Sequence, residues 1–140
     1  MKLRTYLNFG GNCEAAFRFY EQHLGGKILT MMNHEQAPGI PGRSPEWKKA
    51  ILHARLLVGD IDIMASDVPP DLFQPMRSAY LSLNVDSAEE AERIYKILSE
   101  GGEVFMPLAE TFFATRFAQF RDRFGTLWMV LHEKPMGPTP

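Results

Sequence analysis

Two stretches of the chain begin alike and run alike. YLNFGGNCEAAFRFYEQHLGGKI starts at Tyr6, and YLSLNVDSAEEAERIYKILSEGGEV starts at Tyr80. Each opens on Tyr-Leu and an alternating run, crosses a polar step into a segment rich in Ala and aromatic residues, and leaves through Gly-Gly into a further alternating run. Ala16 and Tyr20 match Ala91 and Tyr95 at an offset of 75 residues. Internal repetition restricts the fold severely, because each copy has to be the same supersecondary unit.

The unit can be read from its periodicities. Cys13, Ala16, Phe17, Tyr20 and Leu24 recur at helical spacing and share one face, which must be covered by a sheet. Asn12 is placed to supply the N-cap oxygen, and Gly25-Gly26 to end the helix in left-handed geometry. In the second copy Ala88, Ala91, Ile94, Tyr95 and Leu98 form the apolar stripe, Ser87 to Glu90 has capping-box spacing, and Gly101-Gly102 closes the helix. After each helix the period changes from 3.6 to 2. KILTMMN, AILHARLLV and DIDIMAS follow the first helix; EVFMPLA, ATRFAQFR and TLWMVLHE follow the second. Tight turns are expected at Gly59-Asp60 and Phe124-Gly125-Thr126.

The expected fold class is therefore α+β, one domain over residues 1–140 made of two βαβββ modules, 1–68 and 77–134. EQAPGIPGRSPEW, residues 35–47, reads as a long loop, DVPPDLFQPM, residues 67–76, as the joint, and residues 135–140 as a frayed tail. One helix covers one face of its sheet. The other face needs a partner, so the modules are expected to curl toward each other or toward a second chain and leave a cleft.

Composition removes several kinds of function. A net charge of -2 and a pI near 6.1 supply no positive field for a phosphate backbone, which argues against nucleic acid. MKLRTYLNF has no signal-peptide core, and no run approaches the roughly 20 apolar residues of a membrane span, so a cytoplasmic location and no membrane partner are expected. Cys13 is the single cysteine, which excludes an internal disulfide and a cysteine-rich zinc site.

FRFYEQHLGGKI in the first unit and DRFGTLWMVL in the last strand pair resemble the vicinal oxygen chelate superfamily, which contains glyoxalase I, bleomycin resistance proteins and extradiol dioxygenases. YLNFGGNCEAAFRFYEQHLGG, ILHARLLVGDIDIMASD and ETFFATRFAQFRDRFGTLWMVL look like its PhnB-like branch, from about Leu3 to Glu133. The resemblance implies paired modules around a cupped pocket, completed in a homodimer. Metal-using members take ligands from the first and last strand of each module. Laid onto this chain, those positions are Thr5 or Tyr6, Met64, Tyr80 and Met129, none of them His, Asp or Glu. Phenol and thioether groups suit hard or borderline cations poorly, so no metal and no other cofactor are expected. The branch has also carried a ubiquinone methyltransferase label, but the glycine pairs close strands or helices and build no nucleotide-binding loop.

Other residues remain as candidates for chemistry. His53 and Asp67 end up on the third and fourth strands, where they form either an acid–base pair or a half-buried histidine and a turn-capping carboxylate. Glu110, before Phe112 and Phe113, is expected to have a pKa raised by burial against the rings, suiting it to proton transfer, or else to be a solvated loop carboxylate. Arg116 and Arg121 either bind an anion or pair with Glu110 and Asp122. Tyr6, Asn8, Tyr80, Ser82, Asn84 and Trp128 bring polar atoms to otherwise apolar strands, which fits a small-molecule cup or a packed interior. Three functions follow: a metal-independent small-molecule protein using His53 and Glu110; a glyoxalase- or dioxygenase-type enzyme with a displaced metal site at His53, Asp67 or Glu110; and a sequestering protein of bleomycin resistance type. Trp128 and Met129 alternate in direction, and the family register turns Met129 toward the cleft.

Overall fold

The computed structural model describes residues 1–36 and 45–135. The middle of the Pro and Gly loop and all but the first residue of the expected tail lie outside them. The chain divides into two compact units, Met1–Gln74 and Pro75–Pro140.

In the first unit, β1 (Thr5–Phe9) leads to α1 (Cys13–His23), and β2 (Lys27–Asn33), β3 (Ile51–Val58) and β4 (Ile61–Asp67) follow. The second unit repeats the order with β5 (Leu81–Asn84), α2 (Ala88–Ser99), β6 (Glu103–Ala109), β7 (Ala114–Arg121) and β8 (Leu127–Glu133). Each unit holds one four-stranded sheet, ordered β1-β4-β3-β2 and β5-β8-β7-β6. The architecture is the expected α+β pair of βαβββ modules. The helix carries the chain from one edge of its sheet to the other, so it lies across a face. The last three strands then return as an antiparallel meander whose final strand pairs in parallel with the first.

Alternation along the strands decides which face is covered. Leu7, Phe9, Ile63 and Ala65 are buried on the helix side of the first sheet, where Phe9 meets Phe17 edge-on. Leu81, Leu83, Trp128 and Val130 occupy that side of the second, where Tyr95 meets Phe120 edge-on. The α1 residues Cys13, Ala16, Phe17 and Tyr20 and the α2 residues Ala91, Ile94 and Leu98 are buried, as the spacing requires.

The caps divide into one that is local and one that is not. Ser87 accepts a hydrogen bond from the Glu90 amide, the predicted N-cap. Asn12 makes no side-chain cap bond. Asp67, at the end of β4, caps α1 instead: its Oδ1 accepts from the Gly11 and Cys13 amides at 3.0 Å, and its Oδ2 accepts from the Ile51 amide at 2.8 Å. The acceptor at the start of α1 is thus a carboxylate from β4, the strand next to β1, and not the local Asn12 side chain.

The glycine pairs do two jobs each. Gly25 and Gly101 have φ of 67° and 78°, the left-handed geometry that ends the helices. Gly26 and Gly102 sit where a Cβ would come within 2.9 Å of the Leu57 carbonyl oxygen and 1.9 Å of the Arg121 carbonyl oxygen. The second glycine of each pair lets the chain pass against a neighbouring strand.

Candidate functional site

The face of the first sheet turned away from α1 gathers polar side chains in two rows. Tyr6 pairs with Met64, Met64 with Arg55, and Arg55 with Thr30 across the four strands. Asn8 pairs with Ser66, and His53 with Met32, in the next row. The Tyr6 hydroxyl lies 3.4 Å from His53 Nδ1, with the two rings stacked at 6.0 Å and 24°. Ser66 donates to Asn8 Oδ1 at 3.3 Å. Arg55 binds Asp62 through Nε at 2.9 Å and through Nη2, and Arg4 approaches the same carboxylate at 3.7 Å. The Arg55 hydrogen bond and charge hold the Asp62 carboxyl below the usual range, so it is ionised at neutral pH.

The corresponding face of the second sheet is more apolar. Phe117 and Leu131, neighbours across β7 and β8, are buried with Ala114, and Met129 packs against them. At one end of this face Ser82 of β5 donates to Asn84 Oδ1 at 2.7 Å, and Asn84 Nδ2 donates to Glu133 of β8 at 2.8 Å. At the other end of the face Tyr80, Leu127, Arg121 and Glu103 border an open depression of ≈ 390 Å³.

Several expected site residues lie together and several do not. Tyr6, Asn8, His53 and Met64 share the open face of the first sheet. Asp67 points the other way, buried, with both oxygens occupied by backbone amides. Trp128 also points the other way: it is 1% exposed, and its indole N–H donates to Asp122 Oδ2 at 2.8 Å. Parallel pairing of Ser82 with Met129 puts Met129, half-buried, on the open face as the family register has it.

Glu110 differs from expectation in sign. It is exposed, and Lys134 Nζ lies 2.8 Å from its carboxylate, so a hydrogen bond and a charge lower its pKa where burial was expected to raise it. Phe112, beside it in the β6–β7 turn, is 91% exposed and meets Phe113 edge-on. Arg116 pairs with Glu92 of α2 at 3.0 Å and gives Nη1 to the Thr115 carbonyl, which places it on the helix side. The Asp122 carboxylate, read as a partner for arginine, accepts from the Phe124 and Thr126 amides and from Trp128. Arg55, Asp62 and Ser66 were not singled out from the sequence. Their signal was alternation, since Arg55 shares its strand face with His53, and Asp62 and Ser66 share theirs with Met64.

The sequence profile of the Glyoxalase/Bleomycin resistance protein/Dioxygenase superfamily matches residues 3–130, nearly the whole of both units. The chain belongs to this superfamily. It is 32% identical over 138 residues to protein YjdN of Escherichia coli K12, covering 93% of this chain and 94% of that one. Among solved structures, protein PA1353 of Pseudomonas aeruginosa is 46% identical, with a TM-score of 0.86 over 95% of this chain and 98% of that one. A PhnB protein of Bacillus cereus shares the fold at 22% identity, TM-score 0.80, over 94% and 99% of the two chains.

Members of the glyoxalase/bleomycin resistance superfamily bind small molecules. The positions that the family register gives to metal ligands are Thr5 or Tyr6, the latter beside Met64, in the first sheet, and Tyr80, just before β5, and Met129 in the second unit. Phenol, hydroxyl and thioether groups do not make a donor set for a divalent cation. Among the described residues no group of three or more His, Cys, Asp or Glu converges elsewhere, and no helix is long and apolar enough to cross a membrane.

Proposed function

We propose that this chain is a cytoplasmic, PhnB-like small-molecule protein that acts without a bound metal, holding its ligand on the open face of the first sheet. The observation that carries the reading is the Tyr6–His53 contact, 3.4 Å between phenol oxygen and imidazole nitrogen on a face that also presents Asn8 and Met64. The pair can meet a ligand of either polarity. With the ring proton on Nε2, the phenol donates to Nδ1 and its oxygen accepts from a ligand hydroxyl or amine. With the proton on Nδ1, the imidazole donates to the phenol oxygen, and the phenolic hydrogen is left for a ligand carbonyl.

Two features support the metal-independent part. The family's ligand positions carry donors unsuited to such an ion, and the Tyr6–His53 pair offers polarisation without one. The test has two arms. A fragment screen by thermal shift should yield a carbonyl or phenol ligand whose affinity falls about tenfold in Tyr6→Phe and in His53→Ala, the loss of a hydrogen bond to a poised group. Unchanged far-UV circular dichroism in both variants keeps the result from being one of folding. Equal affinity in parent and variants would return the pair to a structural role. Separately, elemental analysis of protein prepared without chelators should find no stoichiometric Zn, Ni, Fe or Mn; about one ion per chain would overturn metal independence.

A further inference from the structure

The depression at the far end of the second sheet's open face takes no part in that reading. It is bordered by Arg77 and Ser78, just before β5, and by Tyr80, Glu103, Phe105, Arg121 and Leu127. Arg121 stands between Leu127 on one side and Glu103 on the other in the strand register, and its side chain borders the depression.

That guanidinium is held from behind. Nη1 donates to the Met76 carbonyl at 3.0 Å and to the Gly125 carbonyl at 3.2 Å. Nε and Nη2 make no bond among the described residues, and they are the two parallel donors of the edge that grips a carboxylate side-on. The bond to Met76 also ties the segment to the sheet one residue before Arg77. Arg77 is exposed and makes no ion pair among the described residues. Ser78, which follows Arg77 and also borders the depression, is held at φ 53°, a left-handed conformation that a serine adopts at some cost.

Glu103 borders the same depression and forms no ion pair with Arg121 although the two are partners in the sheet. Two guanidinium groups and one unneutralised carboxylate leave one net positive charge, which suits a monoanion and disfavours a dianion. Phe105 and Leu127 add apolar wall. We infer that this depression is a second binding site, for a small monocarboxylate with an apolar body, gripped side-on by Arg121 and closed over by Arg77.

The probe is benzoate, followed through the arginine Nε resonances of the whole chain. Benzoate should shift the Arg121 Nε signal saturably at millimolar concentration, and benzyl alcohol, with the same ring and no charge, should leave it in place. Inorganic phosphate should bind more weakly than benzoate, and Glu103→Gln should narrow that gap. Arg77→Gln, at an exposed position outside the sheets, should weaken benzoate about threefold or more while the fold is kept, and in Arg121→Lys, which lacks the reporting signal, benzoate should no longer move the Arg77 Nε resonance that it moves in the parent. Tyr6→Phe should bind benzoate as the parent does, which separates this site from the one on the first sheet. No saturable shift, an equal response to benzyl alcohol, phosphate binding as tightly as benzoate, or an unweakened Arg77→Gln would each overturn the inference.

Discussion

Single residues explain why apparently equal features are unequal here. In Gly101-Gly102 the first glycine supplies backbone geometry and the second supplies space, since a methyl group at Gly102 would collide with the Arg121 carbonyl. Gly101→Ala is expected to cost about 1 kcal/mol, the penalty of a left-handed alanine, and Gly102→Ala about 2–4 kcal/mol, because backbone has to move. Urea unfolding ranks the two; a smaller loss for Gly102→Ala would refute the assignment. Glu110 shows the same need to look past residue type. Its pKa lies below the ordinary 4.5 because Lys134 donates to it and stabilises its charge. A carboxylate depressed in the folded state adds stability above its unfolded pKa and loses it as pH falls through the folded value. An NMR titration should therefore place the Glu110 midpoint below 4.5, and Lys134→Met should return it to the ordinary range. At neutral pH Glu110 is ionised and has no proton to give.

At the scale of elements, two buried carboxylates join what the strands and helices leave open. Asp67 ties the start of α1 and the first residue of β3 to the end of β4, and Asp122 ties the β7–β8 turn to the Trp128 indole. Each accepts at least three N–H donors, so an amide in its place presents N–H groups to N–H groups. Asp67→Asn and Asp122→Asn are each expected to destabilise by about 2–4 kcal/mol, with a red-shifted tryptophan emission in the second as Trp128 is released. Loss of under 0.5 kcal/mol or so in either would show that the donors find other partners. These ties also mark where the sequence stopped being legible. Both α-helices and all eight strands among the described residues could be read from their periods, because amphipathic segments declare which face they bury, whereas the short 3-10 turn at Pro45–Trp47 lies in what read as loop. Asn12 looked like the cap of α1 because capping is usually local, whereas the acceptor that closes it is 54 residues away. Alternation said that Trp128 and Met129 face opposite ways; the pairing of Leu81 with Trp128 on the buried side decided which is which. The Tyr6–His53 pair was half visible, since both residues were singled out but nothing in the order of the chain placed them on adjoining rows.

For the whole molecule, the two sheets share a topology and differ at their edges. β6, the outer strand of the second sheet, has six of its seven residues exposed, among them Val104, Phe105 and Met106 at 40–46%. Phe112, in the turn that follows, is the most exposed of its phenylalanines. Edge strands of soluble proteins are commonly protected by charge, proline or cover; this one has Pro107 and Glu103 but an apolar run between them. The homodimer that the family resemblance implies would supply cover through a second copy of the same strand, with a two-fold axis placing like residues face to face. Light scattering behind size exclusion should then give a mass near twice 15.9 kDa at micromolar concentration. Met106→Lys combined with Phe112→Lys should shift that equilibrium toward the single chain without altering circular dichroism, because both side chains are exposed and neither contributes to a core. A parent of single-chain mass would rule out the homodimer, and a dimer indifferent to the paired lysines would move its contact to another surface.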